Sequence, residues 1–436
     1  MLSSLRVATR GAAVARRASA FRFQAVRAGS TWSNVPQGPP ASSPPHKLTS
    51  AAIGITEAFK ADSFDKKINL GVGAYRDDKG KPYVLPSVRA AEQKVVSNNL
   101  NKEYAGITGV PEFTKSAAVL AYGKDSSALD RLVITQSISG TGALRIGAAF
   151  LERFYPGAKK IYIPNPSWAN HGAVFKDAGL EVDKYRYYDP KSIGLDFEGM
   201  VADLKAAPKG SIFLFHACAH NPTGVDPTPS SGRRSATSSS RTATTPSSTW
   251  PTRASPRATP TRTPSPSATS LPRATTSAWP SPSPRTWVST ASVLAPSPSW
   301  LRMPRRRSAL TRRSRFWSAP CTPTPPIHGA RIAAEILNDP TLYKQWLAEV
   351  KEMADRIITM RALLKDNLEK LGSKHDWSHI TSQIGMFAYT GLTAAQMDSL
   401  AKEHSVYATK DGRISVAGIT SENVGRLAEA IYKVKG

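Results

Sequence analysis

The sequence predicts an α/β fold: a mostly parallel sheet covered by helices on both faces, joined to a smaller α+β region. Two observations carry that expectation. Between about residues 89 and 217, short apolar runs rich in β-branched residues alternate with stretches of helical period, as in successive βαβ units. After Pro340 the order changes to one long helix, two short strands and a closing helix. At 436 residues the chain is long enough for two domains and a large core.

Taken in order, "RAAEQKVVSNNL" reads as helix and "DRLVITQSIS" as a strand running into a loop. "GALRIGAAFLERF" follows as helix, "KKIYIPN" as strand, "NHGAVFKDAGL" as helix and "GSIFLFHA" as strand. Ligands of such sheets bind at the carboxyl ends of the strands. Asp339 and Pro340 open a long helix with Trp346, Val350, Met353, Ile357, Leu364, Leu368 and Leu371 on one stripe, stopped by Gly372. "QIGMFAYTG" and "GRISVAG" then read as strands, and "SENVGRLAEAIYKV" as the last helix.

The formal net charge of +26 is unevenly spread. Residues 1–30 hold six Arg and no acid; residues 230–324 hold fifteen Arg and no acid, Lys or His. Without those twenty-one charges the balance is +5, ordinary for an enzyme, so the basic pI is a poor argument for a nucleic-acid partner. Cys218 and Cys321 make no disulfide framework and fit a reduced compartment. No apolar run reaches the length of a membrane span. Residues 1–30, rich in Arg, Ala and Ser, have the pattern of a mitochondrial presequence, with a plain basic tail as the alternative; the Pro- and Ser-rich residues 31–51 read as an extended arm.

Several positions offer chemistry. Ser139, Gly140 and Thr141 lie between a strand and a helix, where free backbone N–H groups and two hydroxyls make a phosphate cradle; Ser and Thr also serve there simply as N-caps. Trp168 follows the next strand, placed to stack on a flat ring or merely to pack. "HACAHNPTG" ends the strand after that with His216 and Asn221, the latter equally suited to turn chemistry before Pro222. Gly71 and Gly73 form a Gly-rich turn, and Arg413 lies on a strand among small neighbours, either clamping a carboxylate or facing solvent.

Together these residues stand in specific motifs. "NLGVGAYRDD", "EYAGITG", "QSISGTGALRIGAAFLERF", "PNPSWANH", "HACAHNPTGVDPT", "TPPIHGARIAAEIL", "QIGMFAYTGL" and "DGRISVAGI" occur in the order found in aspartate aminotransferases. The chain resembles the mitochondrial type of that family, a fold-type I pyridoxal phosphate (PLP) group, over residues 52–229 and 325–436. The resemblance implies a large PLP-binding domain (83–349) with a mostly parallel seven-stranded sheet, and a small α+β domain from residues 52–82 and 350–436. It also implies that Ser139, Gly140 and Thr141 hold the PLP phosphate, Trp168 covers the ring and Asn221 bonds its phenolic oxygen. Arg413 would bind the substrate α-carboxylate in a site lined by Gly73, Trp168 and Asn221; Tyr104 would reach the phosphate of a partner subunit in a homodimer. No metal, nucleic acid or membrane is implied, and the mitochondrial matrix is the implied compartment.

Two departures from the pattern stand out. "ASSPPHKLTSAA" lengthens the arm before "IGITEAFK". More seriously, residues 230–324 lack the family's Schiff-base Lys, its pyridine-pairing Asp, its ring Tyr and its Arg residues for phosphate and distal carboxylate. A Ser/Thr/Pro/Arg tract of this kind has the composition of disorder, without helix or strand period. Reading the segment from the third base of each codon changes the picture. "SSTWPTRAS" becomes FDMAYQGF, where Trp250 followed by Pro251 forces the Ala, and the stretch from Ser281 becomes SFAKNMGLYGERVGAF, where Trp287 followed by Val288 forces a Gly. "PSSGRRSAT" becomes EQWEKISD and "SAPCTPTP" becomes RPMYSNP. The Asp codon then straddles Ser248 and Thr249, the Tyr codon Pro251 and Thr252, and the Lys codon Pro284 and Arg285. The Arg codons straddle Ser292 and Val293 for the phosphate, and Ser318 and Ala319 for the distal carboxylate. The expectation is a frame shift near Ser230 corrected near Pro325, and for the restored chain a ping-pong transamination of aspartate with 2-oxoglutarate to oxaloacetate and glutamate. A lysine-less pseudoenzyme or non-functional product, a basic nucleic-acid-binding protein and an aromatic aminotransferase of the same fold are the alternatives.

Overall fold

Several strands of the main sheet form where apolar and β-branched residues concentrate, and the order of the strands in space places the site. The computed structural model describes residues 51–127, 129–208, 210–216, 218–228 and 324–435, together with three strands between 245 and 294. In chain order the strands are β1 (Ile68–Asn69), β2 (Val133–Ile138), β3 (Lys160–Asn165), β4 (Glu181–Arg186), β5 (Tyr188–Asp189), β6 (Gly194–Leu195) and β7 (Ile212–His216). They continue with β8 (Thr245–Trp250), β9 (Ala274–Ser277), β10 (Ser289–Leu294), β11 (Phe387–Tyr389), β12 (Val406–Tyr407) and β13 (Arg413–Ser415). Seven of them make the main sheet, in the order β2-β10-β9-β8-β7-β3-β4. Only β10 runs antiparallel to its neighbours. The mostly parallel seven-stranded sheet is as expected.

The three middle strands correct one expectation. Residues 230–324 have no strand period, yet β8, β9 and β10 complete the ladder between β2 and β7. The backbone supplies the reason: inner strands of a sheet expose rows of N–H and C=O groups that must pair whatever side chains the partner carries. The fit is poor in one respect, because Pro246 stands opposite Phe213 and brings no N–H to the ladder. The proposed presequence, residues 1–30, and most of the arm lie outside the described residues, as do Pro251, Thr252, Pro284, Arg285, Ser318, Ala319 and Cys321.

The helices are α1 (Ala51–Ala61), α2 (Pro86–Ser97), α3 (Pro111–Tyr122), α4 (Ser139–Phe154), α5 (Ala169–Asp177), α6 (Phe197–Ala206), α7 (Ile327–Asn338), α8 (Pro340–Lys370), α9 (Ser378–Ser382), α10 (Ala394–His404) and α11 (Val424–Lys435). Helix α8 starts as its sequence requires: the Asp339 carboxylate accepts from the N–H groups of Thr341 and Leu342, and Pro340 occupies the first turn. Its buried stripe includes Trp346, Met353, Ile357, Leu364 and Leu368. The strand β4 was not expected from its charged sequence. It is an edge strand on which only Tyr185 is buried, and Lys160 of β3 bridges its Glu181 and Asp183 at 3.0 Å each. No described helix is long and apolar enough to cross a membrane.

The core is divided. One cluster joins Ile68 and Leu70 to residues between Ile357 and Ile431 and draws nothing from the main sheet. Another packs α4 and α5 on β3 and β7 through Leu144, Ala148, Ile161, Phe175, Ile212 and Leu214.

Candidate functional site

Three strand ends supply one side of the site. At the end of β2 the chain passes directly into α4, with no side-chain cap on the helix. Ser139 turns the corner at φ 56, in the left-handed region that side chains rarely adopt. The first N–H groups of α4 therefore have neither a carbonyl nor a capping oxygen, and helix macrodipole and free donors together favour an anion. Ser139 and Thr141 are exposed beside them, and the space around Gly140 is open: a Cβ there would meet no atom within 4 Å. A phosphate monoester fits this cradle.

At the end of β3, Trp168 starts a row of rings. It meets His171 edge-on at 5.3 Å, His171 meets His216 at 5.2 Å, His216 meets His220 at 4.4 Å, and His220 stacks on Tyr187 at 4.0 Å. The Asn221 backbone N–H donates to His216 Nδ1 at 3.0 Å. That nitrogen is consequently the acceptor of a neutral ring, and the proton of His216 sits on Nε2. Burial keeps the row uncharged, pulling His171 down to about 4, His220 to about 3 and His216 far below its ordinary value. His216 Nε2 and His220 Nε2 are buried without a hydrogen-bond partner, as is Arg145 Nη1 on α4. Among the described residues no three His, Cys, Asp or Glu side chains are grouped to hold a metal.

Opposite the strand ends lies the carboxylate clamp. Arg413 is 8 % exposed, and burial lowers its pKa. Its Nη1 reaches Asn221 Oδ1 at 3.3 Å and its Nη2 reaches the Gly71 carbonyl at 3.4 Å, both long contacts; Nε has no partner. The guanidinium lies over the Phe387 ring, 4.4 Å from its centroid. A buried guanidinium held by two weak neutral acceptors is short of an anion, and a carboxylate meets it in bidentate geometry. Gly73 is required for close approach here, since a Cβ at that position would stand 2.5 Å from Phe387 Cζ.

Of the expected site residues, Asn221 and Arg413 touch, Trp168 reaches the Asn221 loop through the imidazole row, and Gly73 meets the clamp through Phe387. Ser139, Gly140 and Thr141 stand at the end of β2, the edge strand separated from β7 by β10, β9 and β8. Tyr104 is apart, 82 % exposed, its N–H bonded to the neighbouring Glu103 carboxylate. Sequence reasoning assigned no part to Phe387, His171 or His220. The only available signal was a ring three residues after Trp168, on the same helix face.

Comparison with known proteins gives this site a context. The family model for aminotransferase class I and II matches residues 65–233 and 292–431. The mitochondrial aspartate aminotransferase of Xenopus tropicalis is 46 % identical over 425 residues, covering 94 % of each chain, and that of Gallus gallus is 44 % identical over 414 residues, covering 94 % of this chain and 95 % of its own. Among solved structures, an aromatic-amino-acid aminotransferase from Burkholderia pseudomallei, covalently bound to pyridoxal phosphate, superposes with a TM-score of 0.82 at 34 % identity over 93 % of this chain and 100 % of its own. A mitochondrial aspartate aminotransferase from Trypanosoma brucei gives 0.77 at 34 % identity over 88 % of this chain and all of its own.

Proposed function

The chain belongs to the class I and II aminotransferases, and on that premise we propose that it is an aspartate aminotransferase working with pyridoxal 5'-phosphate, exchanging an amino group between aspartate and 2-oxoglutarate. The observation that carries the substrate side is the buried Arg413, which pairs with no acid among the described residues. When bound, the cofactor supplies an electron sink for the substrate's α-carbon. The residues present fit its shape. The α4 N-terminus with Ser139, Gly140 and Thr141 would hold the phosphate, Trp168 would cover the ring, and Asn221, which touches Arg413, would bond its phenolic oxygen. Arg413 orients the α-carboxylate, and Phe387 and Gly73 shape the pocket wall beside it. The neutral imidazole row keeps charge out of the floor of the site.

The group that should hold the cofactor covalently does not fit, because residues 230–324 contain no Lys. We ascribe this to the shifted frame, with the amine that carries the substrate's α-proton encoded across Pro284 and Arg285. Three observations support that reading. The family match breaks between residues 233 and 292. The β7–β8 ladder sets Ser248 opposite Phe215 and Thr249 opposite His216, so the straddled Asp codon falls beside the buried, unpartnered His216 Nε2. Arg145 Nη1, on a helix packed against β9 and β10, likewise lacks an acceptor. Both unpartnered donors lie on elements that adjoin strands of a segment carrying no acid.

Further parts of the reading are a two-domain division at about residues 82 and 350, a homodimer in which Tyr104 serves the partner's phosphate, and import by residues 1–30 into mitochondria, specifically the matrix. The separate core cluster at the chain ends supports the first, and the exposure of Tyr104 the second. The names of the relatives support a mitochondrial address.

Tryptic mass spectrometry of the protein from its native source tests the frame. The expected peptide is NMGLYGER. Recovery instead of TWVSTASVLAPSPSWLR, residues 286–302, would mean a chain without the lysine, binding cofactor at most noncovalently and turning over no aspartate.

A further inference from the structure

Arg361 lies on α8, has no part in the site as described so far, and is 3 % exposed. Its neighbours on that helix, Ile357, Met360 and Leu364, are core residues. A cation in such a place is costly unless something compensates it. Burial pulls its pKa down to about 10, which still leaves it charged at neutral pH. No described acid pairs with it. It instead donates to three backbone carbonyls: Nη1 to Ile380 at 2.6 Å, and Nη2 to Gly385 at 2.9 Å and to Phe387 at 2.5 Å. Planar donors in several directions suit an arginine to this task and a lysine poorly.

The three carbonyls lie along one short stretch, residues 380–387, which leaves α9, turns and enters β11, and that turn touches the clamp from two sides. At its far end Phe387 carries the ring beneath the Arg413 guanidinium. In its middle, the Ile384 N–H donates to the Gly224 carbonyl at 2.9 Å. Gly385, at φ +91, lies so close to the Asn221 loop that a Cβ would be 2.7 Å from Ala219 Cβ. That loop presents the Asn221 Oδ1 that accepts from Arg413. Both side-chain contacts of Arg413 therefore depend on where this turn sits.

We propose that Arg361 is a positioning residue for the carboxylate clamp: by holding the turn 380–387 it fixes Phe387 and the Asn221 loop against Arg413. The inference rests on the reading of Arg413 as the carboxylate ligand. It explains why a buried charge stands in an apolar helix stripe where a methionine or leucine would pack.

The test uses the full chain and two probes: succinate, which offers carboxylates and no amine, titrated by calorimetry, and PLP, followed by quenching of tryptophan fluorescence. R361M is expected to weaken succinate about tenfold while PLP affinity stays within about twofold. R361K keeps the charge but offers one nitrogen to three carbonyls, and is expected to lose about threefold. A folded R361M that binds succinate like the parent overturns the proposal; so does an R361K of parental affinity, whether or not R361M folds. Equal loss of both probes also overturns it, because general loosening of the fold would explain that result. R413M serves as the control: if it leaves succinate binding intact, the carboxylate reading of Arg413 itself fails, whereas loss in R413M alone leaves the clamp standing and removes only Arg361 from it.

Discussion

The two anion-binding ends of the site are built on opposite principles. At the phosphate end the ligand meets backbone: the uncapped first turn of α4, two exposed hydroxyls and open space over Gly140. At the carboxylate end it meets one buried side chain, Arg413, held by a ring, an amide oxygen and a carbonyl from three distant stretches of chain. A backbone cradle comes with the strand–helix junction and tolerates loss of any one hydroxyl. A buried guanidinium depends on all its supports. The carboxylate end should therefore be easier to break by substitutions that touch no ligand, and the phosphate end harder.

The imidazole row at the ends of β3 and β7 gives the largest expected effect. His171 titrates at about 4 in the folded chain and near 6.5 when unfolded, so stability is complete above about pH 6.5 and declines as pH falls toward 4, where the unfolded chain has already taken up its proton. The loss from this residue alone is about 3 kcal/mol. Urea unfolding across that range should show it, and His171→Asn should flatten the slope; an unchanged slope would remove His171 from the account. Next comes the carboxylate end. Gly73→Val places a Cβ 2.5 Å from Phe387 Cζ, which must move, and succinate affinity should fall about tenfold with PLP affinity unaltered. Smallest is the phosphate end, where Thr141→Ala removes one hydroxyl from a cradle of several donors. PLP affinity should fall about fivefold, near 1 kcal/mol, and succinate binding should stay unchanged. A reversal of the last two, with Thr141→Ala the more damaging, would overturn the contrast between the ends.

Much of this was legible in the sequence where the signal is local. Helix α8 begins at Asp339 and Pro340 and buries the stripe its spacing marks, from Trp346 to Leu368. The β2–α4 junction could be read from "SISGTGALRIG", because a strand, a turn and an amphipathic helix are each written in a few consecutive residues. Strand β4 was missed because edge strands carry charges that blunt the alternation, and α6 because its N-cap, Asp196 accepting from the Gly199 N–H, is a single-residue signal. The strands β8 to β10 were missed for another reason. Their place is set by the ladder they complete, and residues 230–324 show no period of their own.

By itself the sequence determined which chemistry is available and in what order along the chain: a phosphate turn, an indole, an amide, a lone guanidinium and a segment without a lysine. The tertiary structure decided what those groups do to one another. Arg413 and Asn221 meet across 192 residues, Arg413 and the Gly71 carbonyl across 342. Three histidines that look alike in sequence become a neutral row because burial in one place raises the cost of their charge. Arg361 is one of fifty-eight Lys and Arg in the sequence, and only the fold shows it buried and bonded to three carbonyls of one short stretch. Local propensity acts over neighbouring residues. Desolvation and hydrogen-bond geometry act through space, and only the folded chain defines them.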